Sequence, residues 1–568
     1  MNAIAAPLII GVTSHRNISA GEIEAVRVHV RALFARMRNE FPHMPQIVLS
    51  SLAEGGDQLV AEEALSAGVR LIAALPMARA EYAKDFSDAA ALARFDALCD
   101  AAEVIEVPDS AIRHGGSPQG AERDAHYAEA GVYVSDHCHL LLAIWDGKAS
   151  GSLGGTAQIA SYHLTGLKPF PGERRKHESR RLLGSGGERL AYHIVCSREQ
   201  ADGTPLASLT PLDTWWRTGE RMEPGASPMP DTFATTFLHT DTFDVDAAKY
   251  AERIMTSGGA SSANTGERTG GAIEGLFQTA DWLAIHFQRR VVFAMRVLYT
   301  VAALMAIAFT IYDNLPAQDD MLVVFLLLFV AGGVIVALAN RRDWHRKYLD
   351  YRALAEGLRV LSYWRRAGIS LTDDVEFARD NFLQKQDVEL GWVRNVMRGA
   401  ELESGIASRA DSTLDLSNVV REWIGDDLNK GQLEYYQRKA AQRTRTHRVT
   451  EGFGMASLCV GIGISIVLAT FARYLSADAK NVLVMIMGVF SIVAGVRAAY
   501  AYKKADKELI KQYRYMQRMF GEARLALDRA HGPDDKREIL RLLGDAALAE
   551  QVEWALMHRQ RPLEHNRI

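Results

Sequence analysis

Two long apolar runs, residues 291–312 and 321–340, flank a polar break, Asp313-Asn314-Leu315-Pro316-Ala317-Gln318-Asp319-Asp320. About twenty residues at roughly 1.5 Å rise cover the roughly 30 Å of a bilayer core, so each run predicts a membrane-spanning helix. The break is acidic and holds no Lys or Arg, whereas Arg289 and Arg290 precede the pair and Arg341, Arg342, His345, Arg346 and Lys347 follow it. Basic residues at both outer ends predict a hairpin with its ends in the cytoplasm. The layout recurs at 452–474 and 481–500, preceded by the basic stretch 438–448 and followed by Lys503, Lys504 and Lys507. Residues 513–527 do not align with 348–366, so the repeat is one of architecture. Ser457, Gly461 and Ser465, and likewise Gly333 and Ala337, fall four apart, a spacing that allows close helix contact in lipid. Arg296 and Arg497 lie near cytoplasmic ends and no Asp, Glu, Lys or His lies mid-span, which argues against a proton relay or an ion-coupled carrier.

The amino-terminal third has a different rhythm. Leu8-Ile9-Ile10, Ile47-Val48-Leu49, residues 71–75 and residues 140–145 are short continuous apolar runs, as expected of strands covered on both faces of a parallel sheet. Helical patterns separate them. Ser19 and Glu22 read as a capping box before Ile23, Val26, Val30, Leu33, Phe34 and Met37, which share one face. A second helix is expected from near Asp57 to Gly68. Alternating strand and helix predicts a doubly wound α/β domain, whose ligand site lies beyond the carboxyl ends of the strands.

The residues following each strand are therefore the candidates. Gly11, Thr13, His15 and Arg16 follow the first run, and Ser51, Glu54, Gly55 and Asp57 the second. Asp146 and Gly147 follow the last, with Gly154, Gly155 and Thr156 opening another helix. Glycines at such turns let backbone N–H groups approach an anion, and a helix amino terminus adds a favourable dipole. Arg16 has the forked donors that suit a phosphate, and Glu54, Asp57 and Asp146 can accept from ribose hydroxyls or a base edge. A single Gly-Gly-Thr is more often a tight connection; several such loops converging on one sheet edge carry the case for a nucleotide.

Composition changes this picture little. At 568 residues the chain has room for several domains, and its net charge of -4 averages apolar spans with highly charged helices. Cys99, Cys138, Cys196 and Cys459 are widely spaced with no zinc-like pattern, so no metal site is expected. No secretory signal is recognisable at the start, which keeps the first 280 residues cytoplasmic in this reading.

The order Gly-x-Thr-x-His-Arg, Ser-Ser-Leu-Ala-Glu-Gly-Gly-Asp, Leu-Pro and Trp-Asp-Gly with Gly-Gly-Thr, across residues 5–200, resembles the SLOG superfamily. These Rossmann-like domains are related to the LOG phosphoribohydrolases and the DNA-processing DprA proteins, and the resemblance implies a nucleotide or nucleotide-derived ligand. LOG enzymes carry a catalytic Glu shortly after their Gly-Thr, whereas Thr156 here runs into Ala157-Gln158-Ile159-Ala160. An amide cannot do a carboxylate's acid–base work, which favours a sensor and leaves no catalytic residue assigned. Residues 351–359, Tyr-Arg-Ala-Leu-Ala-Glu-Gly-Leu-Arg, beside the first hairpin resemble the signature of SLATT proteins, two-span effector modules that accompany SLOG sensors.

The expected organisation is a cytoplasmic α/β Rossmann-like domain joined to an α-helical membrane domain with four transmembrane helices in two hairpins. Its parts are a nucleotide-sensing domain (1–200), an extension and linker (201–280), the first hairpin with its helix (281–370), a cytoplasmic helical region (371–450) and the second hairpin with its helices (451–568). Trp215 and Trp216 are expected to pack back onto the sensor, Trp392 and Trp423 beneath the hairpins, and residues 257–271 to form a tether. The basic stretch with Arg174, Arg175, Lys176, Arg180 and Arg181 reads as a solvated loop. No cofactor and no DNA or RNA partner is expected. The expected partners are a nucleotide second messenger, the bacterial inner membrane and further copies of the chain. By resemblance the role would be that of an antiphage effector, with a membrane-anchored nucleotide N-glycosidase or phosphoribohydrolase as the alternative.

Overall fold

The computed structural model describes residues 5–86, 88–107, 120–149, 152–167, 189–200, 202–258, 271–315, 318–369, 379, 382–383, 387–408, 416–425 and 431–559. Two compact units emerge, one of residues 1–279 with 371–413, the other of residues 280–370 with 414–568. The basic stretch at 174–181 and most of the expected tether lie outside the described residues.

The first unit is built on an eight-stranded sheet in the order β4-β3-β2-β1-β5-β6-β7-β8. Its strands are β1 (Leu8–Ser14), β2 (Gln46–Ser50), β3 (Arg70–Leu75), β4 (Glu103–Glu106), β5 (Leu140–Trp145), β6 (Leu190–Val195), β7 (Thr214–Arg217) and β8 (Met222–Pro224). The strands from β1 to β6 run parallel, with Gly11 level with Leu49 on one side and Leu141 on the other. β7 and β8 close the edge antiparallel. Every residue of β1, β5 and β6 is buried, as the unbroken apolar runs require of a sheet covered on both faces.

The period of two sorts the strand residues between two cores. Leu8, Ile10 and Val12 pack with Val26, Val30, Leu33 and Phe34 of α1 (Ile23–Glu40) and with Leu59 and Val60 of α2 (Gly56–Ser66). The same layer holds the short α3 (Arg79–Tyr82) and α4 (Ala89–Ala101). Ile9, Ile47, Leu49 and Leu141 face the opposite layer, with Val134 of α5 (Ala121–His137). α6 (Thr156–Thr165) follows β5.

The expected capping box does not form. Ser19 makes no side-chain capping bond, and Glu22 ends a short 3-10 turn and instead accepts from the Ser197 backbone N–H at 2.7 Å. A carboxylate drawn to the neighbouring strand end cannot also reach back along its own chain. Trp216 does pack onto the sheet: it is 1% exposed, lies edge-on to Tyr192 at 4.7 Å and has the Arg36 guanidinium 5.1 Å from its ring.

α7 (Asp231–Gly258) completes the first unit together with the first residues of α8 (Ala272–Asn314) and with α11 (Asp387–Ser408). Trp392, expected beneath the hairpins, belongs here instead, its ring 5.8 Å from Phe243 of α7. The cause lies in neighbouring positions of the same helix. The Asn395 carbonyl meets His139 Nε2 at 2.9 Å and Arg398 donates to the Cys138 carbonyl at 3.3 Å, so α11 is tied to the turn before β5.

The second unit is helical. Its elements after α8 are α9 (Asp320–Arg341), α10 (Trp344–Arg366), α12 (Leu416–Trp423), α13 (Gln432–Phe471), α14 (Ala477–Lys503), α15 (Asp506–Arg529) and α16 (Pro533–Arg559). Four helices, α8, α9, α13 and the one beginning at Ala477, are long and apolar enough to cross a membrane. Their apolar side chains face outward: Leu327, Phe329, Val330 and Val334 of α9 are all exposed, as are Leu458, Ile462 and Ile466 of α13.

Below the apolar segments the packing is that of a soluble protein. Tyr363 stacks on Trp423 at 4.8 Å, Trp554 meets Tyr348 edge-on at 5.9 Å, and Trp364 Nε1 donates to the Leu540 carbonyl at 3.2 Å. Both hairpins leave their second apolar helix the same way, with two residues before the next helix and a left-handed non-glycine at the second of them, Asp343 (φ 49°) and Ala505 (φ 52°). The architectural repeat thus reaches the junction geometry although the sequences do not align.

Gly544 of α16 sits against the Trp364 indole, and a Cβ there would lie 2.3 Å from Nε1. Gly544→Ala is expected to push the tryptophan off its rotamer and destabilise the helical unit by about 1–3 kcal/mol. Thermal unfolding of the full chain in detergent micelles checks this, and an unchanged midpoint would refute it.

Candidate functional site

The order of strands fixes where a ligand would sit. From β1 the chain steps outward through β2, β3 and β4, then returns to place β5 on the other side of β1. The crevice beyond the carboxyl ends of β1 and β5 is therefore the topological switch point of the sheet, the usual ligand position in open α/β folds.

The loops meeting at this edge are joined to one another. The Gly56 N–H donates to the His15 carbonyl at 3.2 Å, and the His15 N–H donates to the Ile144 carbonyl at 3.0 Å. Thr156 Oγ1 donates to the Ser14 carbonyl at 2.6 Å, which ties the start of α6 to the end of β1. Gly55 has φ +92°, and a Cβ there would come within 2.2 Å of the Arg16 carbonyl oxygen. Only glycine satisfies both demands. Gly154 (φ +75°) is similarly close to the backbone N of Ala128, and Gly147 (φ +79°) turns the chain after β5.

Across the switch point His15 Nε2 lies 3.2 Å from Asp146 Oδ1, close enough for an ion pair but not aligned as a hydrogen bond. Burial lowers the pKa of His15, against the opposing pull of Asp146. Arg198, just beyond β6, reaches to 3.9 Å from the other carboxylate oxygen, and the Lys148 N–H donates to Asp146 Oδ1 at 3.0 Å. Arg16 is exposed, with its guanidinium 5.4 Å from the centre of the Tyr127 ring. Tyr127 in turn donates to Asp85, which also pairs with Arg123 at 2.7 Å.

The other candidates divide by environment. Ser51, Glu54 and Gly155 are half-buried at the loop surface, and Glu54 has a partner within the protein. Thr13 is buried in β1. Gly11 lies mid-strand, where a Cβ would touch Cys138 and Val134, so it is a packing position set back from the edge. Asp57 is 4% exposed and accepts from Ser14 Oγ at 2.6 Å and Ser50 Oγ at 3.4 Å, so it braces the loops from below.

Gln158, standing near where LOG enzymes carry their Glu, uses its side-chain oxygen to accept the Gly154 N–H at 2.7 Å. It steadies the glycine turn, a structural use that an amide performs well. Sequence reasoning missed Arg198, although its place just after a strand of the sheet marks it by the same edge rule. It also missed Tyr127, a helical residue with no signal of its own. A Ser135–His163 contact of 2.9 Å is closed to solvent, with Arg189 donating to Ser135 and His163 Nε2 at 3.1 Å from the Leu190 carbonyl, so it is a core network. Among the described residues no three His, Cys, Asp or Glu side chains gather as a metal site would need.

No protein-family model matches the chain, and neither do curated proteins or solved structures. The chemistry of the edge is accordingly read from its own residues. It combines glycine turns, a helix amino terminus, an exposed arginine and a buried imidazole–carboxylate pair, which together suit a ligand carrying both phosphate and hydroxyl groups.

Two outcomes test this description. Gly55→Ala is expected to distort the joined β1 and β2 loops, lowering the thermal midpoint of the full chain. Burial raises the Asp57 pKa from 3.8 to about 6, against the hydrogen bonds from Ser14 and Ser50. Because the folded value exceeds the unfolded one, the stability due to this group is present in full below pH 3.8 and lost as pH rises through about 6. The stability of the native protein relative to Asp57→Asn should therefore fall by about 2 kcal/mol between pH 4 and 7, and a pH-independent difference would contradict it.

Proposed function

We propose that the chain is a ligand-gated membrane effector whose α/β unit binds a nucleotide-derived messenger and whose helical unit then permeabilises the bacterial inner membrane. The observation that carries this reading is the meeting of Arg16, the His15–Asp146 pair and the Gly55 and Gly154 turns at the switch point of one sheet, in a chain that also has four helices of membrane-crossing length. The exposed apolar side chains of α9 and α13 support the second half, since in water they would drive aggregation. The basic flanks of the apolar helices favour a cytoplasmic position for both termini, on the side where a messenger is found.

Gating requires that the messenger bind the permeabilising state more tightly than the resting one, and assembly of several copies is the simplest state to favour. An antiphage role, in which an infected cell arrests or lyses, follows from the SLOG and SLATT resemblances and rests on them alone. The LOG-like alternative, cleavage of a nucleotide at its glycosidic bond, lacks a carboxylate at Gln158, although Asp146 lies at the same edge.

The full chain in liposomes, exposed to cyclic dinucleotides and to ADP-ribose, is expected to release an entrapped dye with one of them. Arg16→Ala should weaken binding of that ligand at least tenfold and reduce leakage in parallel. A ligand that binds without leakage would remove the effector reading, and free base or ribose phosphate in the incubation would replace it with the hydrolase.

A further inference from the structure

The arginines beneath the second hairpin differ from those beneath the first in what they touch. Under the first hairpin Arg346 pairs with Asp343 and Asp350, and Arg290 lies over the Phe287 and Trp344 rings. Under the second, Gln437, Ala441, Thr444, Arg445 and Arg448 recur at helical spacing and share one face of α13. That face and α15 enclose a groove of about 500 Å³, left hollow where Ala440 and Ala441 present only a methyl group. Arg445 and Arg448 line it from α13 and Arg514 from α15, the last donating to Thr444 Oγ1 at 3.5 Å.

Three guanidiniums thus share one groove without a counter-charge. No acidic side chain lines it, and among the described residues none of the three arginines forms an ion pair. The carboxylates of α13 are engaged elsewhere, Glu451 with His447 at 3.1 Å and Lys507 at 3.6 Å, and Glu434 with Arg438 at 3.5 Å. Like charges gathered in this way repel, and an anion between them reverses the sign of the interaction. The forked donors of arginine suit a phosphate in particular.

The level of the groove names the source of that phosphate. α13 runs unbroken from the groove into the apolar run that begins at Gly452, so Arg448 and Arg445 lie roughly 6 and 10 Å below it at about 1.5 Å per residue. A headgroup layer occupies roughly 5–8 Å on each side of the apolar core, within reach of both side chains. Val449 also lines the groove and is 55% exposed, and Met455 and Leu458 continue the exposed apolar surface of the same helix. A molecule in the groove meets guanidiniums at one end and hydrocarbon at the other.

We propose that the groove holds the headgroup of an acidic phospholipid, its phosphate between Arg445, Arg448 and Arg514 and its acyl chains along Val449 and the span beyond. A zwitterionic headgroup fits less well, because its ammonium would lie among the guanidiniums. The inference rests on the membrane half of the proposed function and is independent of the messenger. A bound lipid would clip α13, at the start of one span, to α15, which follows the other, and so make packing beneath the second hairpin depend on acidic lipid.

Native mass spectrometry of the full chain from detergent micelles, with phosphatidylglycerol or phosphatidylcholine added, tests this. Phosphatidylglycerol is expected to be retained selectively, and R445Q/R448Q should weaken its retention at least tenfold. Ala441→Trp, which fills the groove and keeps every charge, should do the same, whereas R341Q/R342Q, which removes two charges beneath the first hairpin, should leave retention unchanged. Equal retention of the two lipids, equal loss in both double variants, or native retention in Ala441→Trp would overturn the lipid site while leaving the membrane reading intact. Displacement of phosphatidylglycerol by pyrophosphate would overturn it in favour of a free anion. A chain that stays soluble and monomeric without detergent would instead remove the membrane reading, and the lipid site with it.

Discussion

The backbone of β1 is the constraint on which the first unit depends. Its N–H and C=O groups are shared between β2 and β5, so no edge of this strand is free to bind anything. Beyond its carboxyl end the chain leaves the sheet and enters the loop of His15 and Arg16. There the neighbouring loops leave in different directions because β2 and β5 are reached by opposite routes. The chemistry that gathers there follows from that divergence. His15 and Asp146 lie across the switch point because they are the first residues past β1 and β5, and Gly55 is required because the Arg16 carbonyl occupies the place of its side chain.

Much of this was legible in the sequence. Continuous apolar runs identify buried parallel strands because a strand covered on both faces has no polar side to show, and four of the six parallel strands were visible in this way. β4 was not, since Glu103 and Glu106 break its apolar run: Glu103 pairs with Arg70 at the sheet's edge. β7 and β8 are short and lie in a stretch rich in Pro, Gly and Ser, so only the unexplained Trp215 and Trp216 hinted at them. The capping box failed because a local four-residue pattern cannot register that Ser197, distant in sequence, supplies a better donor to Glu22.

The candidate site was legible to about the same depth. Position after a strand correctly located the edge but could not tell which side chains turn toward solvent and which turn inward. Asp57 and Arg16 both follow strands, yet one is sealed beneath the loops by Ser14 and the other is exposed beside Tyr127. That distinction is set by helix packing from elsewhere in the chain. The placement of α11 was hidden for the same reason. Its aromatic and basic residues are compatible with any helical layer, and only the tertiary contacts of Asn395 and Arg398 assign it to the α/β unit.

Asp343 and Ala505 occupy equivalent corners in the two halves of the helical unit. The duplication has a consequence for stoichiometry. A ring of n chains would present 2n apolar helix pairs with the same junction geometry, so its rotational order there would approach twice the order of its α/β half. Oligomer size read from one half would then be ambiguous by a factor of two unless the two kinds of corner are told apart.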